Sequence, residues 1–245
     1  MMSKRTESVP PPPGWAEDEL SILLDTAHHN TYATFVRMKT VFNRLRKIDA
    51  VYRTALGNLH HSEEWFCAFF FLRAHAAYLS GIRLAVARQC PEAYVVLRSC
   101  LEYCLYGLYL WKNPDKAAIW LKRHESEMHK KKIKDEFTIG TMRSLLEALD
   151  KKTGAIVGEL YERTIDFGGH PNEKAILSNL ERIEEGDAIR FDTVYLGGDS
   201  PAFRLCLKTC AQVGIAGLLV FYNIFRIRFD LLDLPDQIDR LKRGL

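Results

Sequence analysis

The chain has 245 residues, 47% of them apolar and 27% charged, with a formal net charge of +3. That length can bury one sizeable core or two small ones, and the composition is that of an ordinary globular protein. So small a charge excess argues by itself for neither a nucleic acid nor a membrane partner.

Residues 1–14 end in Pro10–Pro13 and Gly14 and hold no apolar run. They read as an extended, disordered Pro-rich tail and not as a secretory signal, leaving 15–245 as a single helical domain. The six cysteines then point to a reduced, cytoplasmic setting. A first helix is predicted from Glu17 to about Leu56: Glu17, Asp18 and Glu19 suit its positive end, and Gly57-Asn58 closes it. A second runs from Ser62 towards Cys90 and carries Trp65, Phe66, Phe69, Phe70, Leu72 and Tyr78.

Between Pro91 and Pro114 the segment Ala93–Trp111 is apolar on every helical face yet holds Arg98 and Glu102. These sit four residues apart, so a helix places them one turn from each other. A helix apolar all round is expected to be buried, which makes the pair an internal polar site.

Asn113 as cap and Pro114 at the first position predict a fourth helix, running through Trp120 and Met128 into Lys130–Lys132. Two shorter helices follow, over Thr141–Lys151 and Ile156–Phe167, the latter ended by Gly168-Gly169. Ala188–Leu196 alternates Ile189, Phe191 and Tyr195 with polar residues, which predicts a strand. Its partner in a small hairpin spanning 176–196 is Ile176–Arg182, a stretch that equally suits a helix. Ser200-Pro201 opens a long apolar helix to about Asp230, and Ile238, Leu241 and Leu245 form an amphipathic tail. The uncharged run Thr209–Phe225 reaches the lower limit of a membrane span, roughly 17 residues, but contains Gln212 and Asn223; a buried core helix and no membrane partner are expected. The fold class is therefore all-α, a multi-helix bundle with a small β-hairpin insertion.

Two readings of Arg98 and Glu102 stay open. A guanidinium held by a carboxylate can present fixed donors to a phosphate, or the pair fixes helix register and binds nothing. Asp166-Phe-Gly-Gly-His170-Pro171-Asn172 places His170 and Asn172 around a stiff turn, where a histidine can act as acid, base or ligand. Tyr161, nine residues before His170, is a candidate to join them. Cys100/Cys104 and Cys206/Cys210 each share a helix face; core packing is the expected role, with a four-thiolate zinc site as the alternative. In Arg123-His124-Glu125-Ser126-Glu127-Met128-His129 the second histidine falls one residue late for a helical zinc motif. It lies about 140° round the helix from His124, so no shared metal is expected. His124 shares a helix face with Trp120 and Met128, which predicts that it points inward. Lys122, Arg123, Lys130–Lys132 and Lys134 make this stretch basic, fit for an anionic ligand or RNA, or simply for solvent.

With Leu97-Arg98-Ser99-Cys100-Leu101-Glu102 and the later Tyr161…His170-Pro171-Asn172, the chain resembles a group of uncharacterised bacterial helical proteins, a domain of unknown function. Their LRSxxE-like element sits on a central helix, and a tyrosine precedes a histidine-containing turn. The resemblance covers roughly Glu63–Asp230 and implies a fold and candidate positions, with no activity. More distantly, Arg123-His124…His129 is similar to the RNA-cleaving motif of the HEPN domains, which pairs an arginine with a histidine and uses no metal. The bare spacing recurs at Arg53…His60 and Arg163…His170.

The sequence thus predicts an internal site with Arg98, Glu102 and His170 as catalytic candidates. Tyr161, Asn172, His124, Arg123 and His129 are its candidate ligand-binding residues. The expected ligand is a phosphate-containing small molecule, nucleotide or RNA, without cofactor or metal. The alternatives are a non-catalytic interaction module with a structural ion pair and a HEPN-like metal-independent ribonuclease; homo-oligomer formation is left open.

Overall fold

A helical hairpin forms the centre of the molecule, α3 (Trp65–Val86) followed after three residues by α4 (Cys90–Lys112). The computed structural model describes residues 9–60, 64–169, 171–177, 180–186 and 188–245. The turn between the two helices places Arg88 at φ 71°, a left-handed conformation that an arginine adopts only when held. Here Gly197 N–H donates to the Arg88 carbonyl at 3.0 Å, and Arg88 Nη1 donates back to the Gly197 carbonyl at 3.3 Å.

α10 (Pro201–Ile224) packs on both helices of the hairpin, and α2 (Lys39–Gly57) closes the core from the other side. The resulting interior holds Tyr52, Phe71, Tyr78, Leu97, Leu101, Phe203 and Phe221. Cys100, Cys104, Cys206 and Cys210 lie in it as well, with Cys206 Sγ 3.9 Å from the Cys90 carbonyl. Glycines let α10 approach closely: Tyr52 OH donates to the Gly214 carbonyl at 2.9 Å, and a Cβ at Gly217 would collide with that hydroxyl.

The architecture is all-α with one two-stranded hairpin, as expected, but several helices are shorter than the sequence suggests. The predicted first helix is two, α1 (Glu19–Arg37) and α2, divided at Met38. α2 buries a regular stripe of Leu45, Ile48, Val51, Tyr52 and Ala55, whereas α1 buries only Ser21 and Thr34. The two therefore face different surroundings, and one straight helix cannot satisfy both. The predicted fourth helix also divides, into α5 (Lys116–Leu121) and α6 (Glu127–Glu136). Ser126 accepts from His129 N–H and starts α6 afresh, while Lys122–Glu125 offer no apolar residue to pack. Asn113 ends α4, its Nδ2 donating to the Tyr109 carbonyl at 2.9 Å, instead of opening the next helix.

α7 (Ile139–Leu149) and α8 (Lys151–Thr164) form a second hairpin beside α4, and a π-helical turn, Ile165–Gly169, ends it at the predicted glycines. A short α9 (Glu173–Leu177) precedes strands β1 (Leu180–Glu185) and β2 (Ala188–Thr193), paired antiparallel with Leu180 opposite Thr193. Within the ambiguous stretch 176–182, residues 176–177 are helical and residues 180–182 form strand. The long helix predicted to about Asp230 breaks at Phe225, giving α10 and α11 (Arg226–Leu231), and the predicted amphipathic tail forms α12 (Leu234–Lys242). α3 and α10 are both long and apolar enough to cross a membrane; 72% of the most apolar window of α10 is buried inside the fold, against 44% for α3. Val9–Gly14 are exposed, with Pro10–Pro12 lying along α1, and residues 1–8 of the predicted tail lie outside the described residues.

Candidate ligand site on the central helix

Arg98 and Glu102 project from α4 on the one face that the bundle leaves partly open. Leu97, Cys100, Leu101, Cys104, Leu105 and Leu108 turn inward, while Val95, Ser99, Tyr103 and Tyr106 share the open side with the pair. That side reads as apolar because it carries a valine and two tyrosines. The expectation of an enclosed ion pair is therefore corrected: the side chains of Arg98 and Glu102 are 28% and 31% exposed.

The pair is tied to α8 by Tyr161. Arg98 Nε donates to Glu102 Oε1 at 2.9 Å and to Tyr161 OH at 3.1 Å, and Tyr161 OH donates to the same Glu102 Oε1 at 3.0 Å. The Arg98 guanidinium lies over the Tyr161 ring, 5.2 Å from its centre. Arg143 of α7 also lies over that ring, at 5.6 Å, while its Nη1 donates to Glu162 at 2.6 Å. Burial first, and then the neighbouring Glu102 charge, push the Tyr161 phenol above its ordinary value, so it stays a hydrogen-bond donor. Burial works against the Arg98 charge, but the bond to Glu102 and the neighbouring Tyr161 outweigh it and move the guanidinium upward. Glu102 Oε2 makes no hydrogen bond among the described residues.

Glu102 also forms one side of a cleft of about 240 Å³ between α3, α4 and α5. Ser99, Tyr103 and Tyr106 line it from α4, Phe70 from α3, and Trp120 with Arg123 from the other side. Its rings brace one another: Phe70 stacks on Tyr106 with centres 6.4 Å apart, and Trp120 meets Phe70 edge-on at 5.4 Å. The Arg123 side chain makes no hydrogen bond or ion pair among the described residues, although its backbone N–H donates to the Trp120 carbonyl at 3.3 Å. Tyr106 registers both charges, since burial and then Glu102 raise its phenol while Arg123 lowers it, with a net rise.

The other predicted residues are scattered. His124 is exposed, and so is Met128, which corrects the inward orientation expected of a continuous helix. His129 lies in the first turn of α6 and is held by the Ser126 cap, its Nδ1 2.8 Å from Ser126 Oγ. Asn172 serves its turn: its Oδ1 accepts from Ala175 N–H at 2.9 Å and its Nδ2 donates to the Ile165 carbonyl at 3.1 Å. His170 lies outside the described residues. Two of the three arginine–histidine spacings have an arginine committed elsewhere. Arg53 binds Asp49 at 2.8 Å, and Arg163 binds Gln212 at 2.6 Å and Glu159 at 2.5 Å.

Sequence reasoning missed Phe70, Tyr106, Trp120 and Arg143. Each is an ordinary helical residue in its own segment, and only packing between distant segments brings it to the site. Among the described residues, no group of three or more His, Cys, Asp or Glu side chains is arranged to hold a metal. No family model, curated protein or solved structure matches this chain.

Proposed function

We propose that the protein binds a small ligand combining a flat ring with a phosphate, a nucleotide by class, in the cleft between α3, α4 and α5. The observation that carries this reading is the pairing, across one aromatic-walled cleft, of an anchored carboxylate with an uncommitted guanidinium. Phe70, Tyr106 and Trp120 supply stacking surface. Glu102 Oε2 accepts a ring N–H, with Arg98 and Tyr161 fixing the carboxylate in place. Arg123 offers the paired donors that match a phosphate. At about 240 Å³ the cleft lies below the roughly 300–1,000 Å³ of drug-sized sites, so it holds a single ring and leaves the phosphate at the mouth. In this reading Arg98 positions Glu102, and no reaction is assigned. The cytoplasmic setting and the kinship with the bacterial helical proteins belong to the same proposal.

A native mass spectrum of protein purified without chelators, followed by titration with nucleoside monophosphates, tests it. Bound mass or saturable quenching of Trp120 fluorescence is expected. Arg123→Ala should weaken binding about 10- to 100-fold, since a hydrogen bond to a charged group contributes about 1.5–3 kcal/mol. A bare mass together with no response to any phosphate compound overturns the reading.

The place of Arg123 in the cleft also favours a second reading, metal-independent RNA cleavage by Arg123 and His129. RNA that survives prolonged incubation with the wild-type protein removes it.

A further inference from the structure

α3 carries an apolar stripe that no other described residue covers. Trp65, Phe69 and Leu72 are 62%, 54% and 50% exposed, Ala76 is exposed, and Leu79 is partly so. Scattered surface hydrophobics need no explanation, but these follow one another at intervals of 4, 3, 4 and 3 residues. That is the 3.5-residue period by which one helix meets another along a continuous seam.

The stripe is also nearly symmetric about Leu72, with Trp65 and Leu79 seven residues to either side and Phe69 and Ala76 three and four away. Turned end over end about Leu72, it sets Trp65 against Leu79, Phe69 against Ala76 and Leu72 against itself. Its bulkiest side chains, Trp65 and Phe69, lie at one end, and the smaller Ala76 and Leu79 at the other, so the reversed orientation sets the bulky end against the smaller one. A parallel arrangement would crowd two tryptophans at one end and set alanine against alanine near the other. Arg73, the charge next to Leu72, is drawn aside over the Tyr103 ring, 5.4 Å from its centre.

We infer that α3 is the interface of a homodimer, in which two copies pair antiparallel about a two-fold axis at Leu72. The area agrees. At their exposures, Trp65, Phe69 and Leu72 expose ~300 Å² per copy. Doubled, and with Ala76, Leu79 and the flanking side chains added, this comes to ~1,000 Å², the low end of specific interfaces. The dimer therefore exchanges with monomer. A lipid surface has no register and does not call for this near-symmetry. The seam also adjoins the ligand cleft, because Trp65 contacts Phe66, whose ring meets Trp120 at 6.0 Å.

Sedimentation equilibrium of the full chain tests the inference. The mass should rise with concentration towards twice 28.2 kDa. Leu72→Arg, which sets two like charges on the axis, should hold the protein monomeric with an unchanged helical spectrum. Ala76→Glu serves as a second disrupting variant should the first fail to fold. Under oxidation Leu72→Cys should give a covalent dimer and Trp65→Cys none, while Trp65→Cys/Leu79→Cys restores cross-linking. A monomer at every concentration overturns the inference, as does a monomer that instead floats with lipid vesicles. A dimer unaffected by both charge variants, or cross-linked through Trp65→Cys alone, overturns the proposed seam.

Discussion

Glu102 Oε1 takes a hydrogen bond from Arg98 and another from Tyr161, yet the group lies near solvent. Breaking an enclosed ion pair costs about 3–5 kcal/mol, whereas exposed pairs contribute about 0–1 kcal/mol. With both side chains close to a third exposed, Arg98→Ala belongs near the lower figure, and Tyr161→Phe should cost about 1 kcal/mol. Each variant should then melt roughly 2–4 °C below wild type in a calorimetric scan. A fall several times larger would mean that the site is closed to water. Asp49 behaves differently, bonded at 2.7 Å to the buried His75 and at 2.8 Å to Arg53. Burial alone would raise its carboxyl, but the bonds from His75 and Arg53 prevail and hold it below its ordinary 3.8. A depressed carboxyl stabilises the fold fully above that ordinary value, and the stabilisation is lost as pH falls through the lower folded value. Melting temperature measured from pH 5 downward should therefore drop more steeply in wild type than in Asp49→Asn.

α10 shows how one element sets the spacing of the others. A Cβ placed at Gly214 would stand 2.6 Å from the Tyr78 ring and 2.8 Å from Ile48 Cγ2, both in the core. Alanine favours a helix over glycine by about 1 kcal/mol, but overpacking costs about 1–3 kcal/mol, so the clash should win. Gly214→Ala is expected to lower the melting temperature, while Gly57→Ala, with open space around its Cβ, should leave it nearly unchanged. The same contrast between local preference and packing governs what was legible in the sequence. Caps and helix-ending glycines are local, so Ser200-Pro201 and Gly168-Gly169 were readable. The breaks at Met38, at Lys122–Ser126 and at Phe225 were not, because partners distant in the chain decide which face each segment buries. The site divides likewise. Arg98, Glu102 and Tyr161 stood out as polar groups in apolar surroundings, and Arg123 stood out through its basic stretch. Phe70, Tyr106 and Trp120 looked like any other core aromatics until α3, α4 and α5 came together.

At the scale of the whole molecule, both proposed surfaces lie beside the α3–α4 hairpin. The proposed ligand cleft and the exposed stripe of α3 adjoin each other there, while α2 and α10 fill the remainder with core. A ligand in the cleft would press on Phe70 and Trp120, whose neighbour Phe66 contacts Trp65 of the stripe, so occupancy and self-association share a wall. The core has a separate consequence. Five of the six thiols are buried, so a reagent reaches them only when the bundle opens, and burial followed by the nearby Glu64 charge pushes Cys67 up to about 11. Because Cys67, Cys100, Cys104, Cys206 and Cys210 sit on three different helices, the order in which an alkylating reagent marks them becomes a built-in clock. It times which helix leaves the bundle first, without any label having to be introduced.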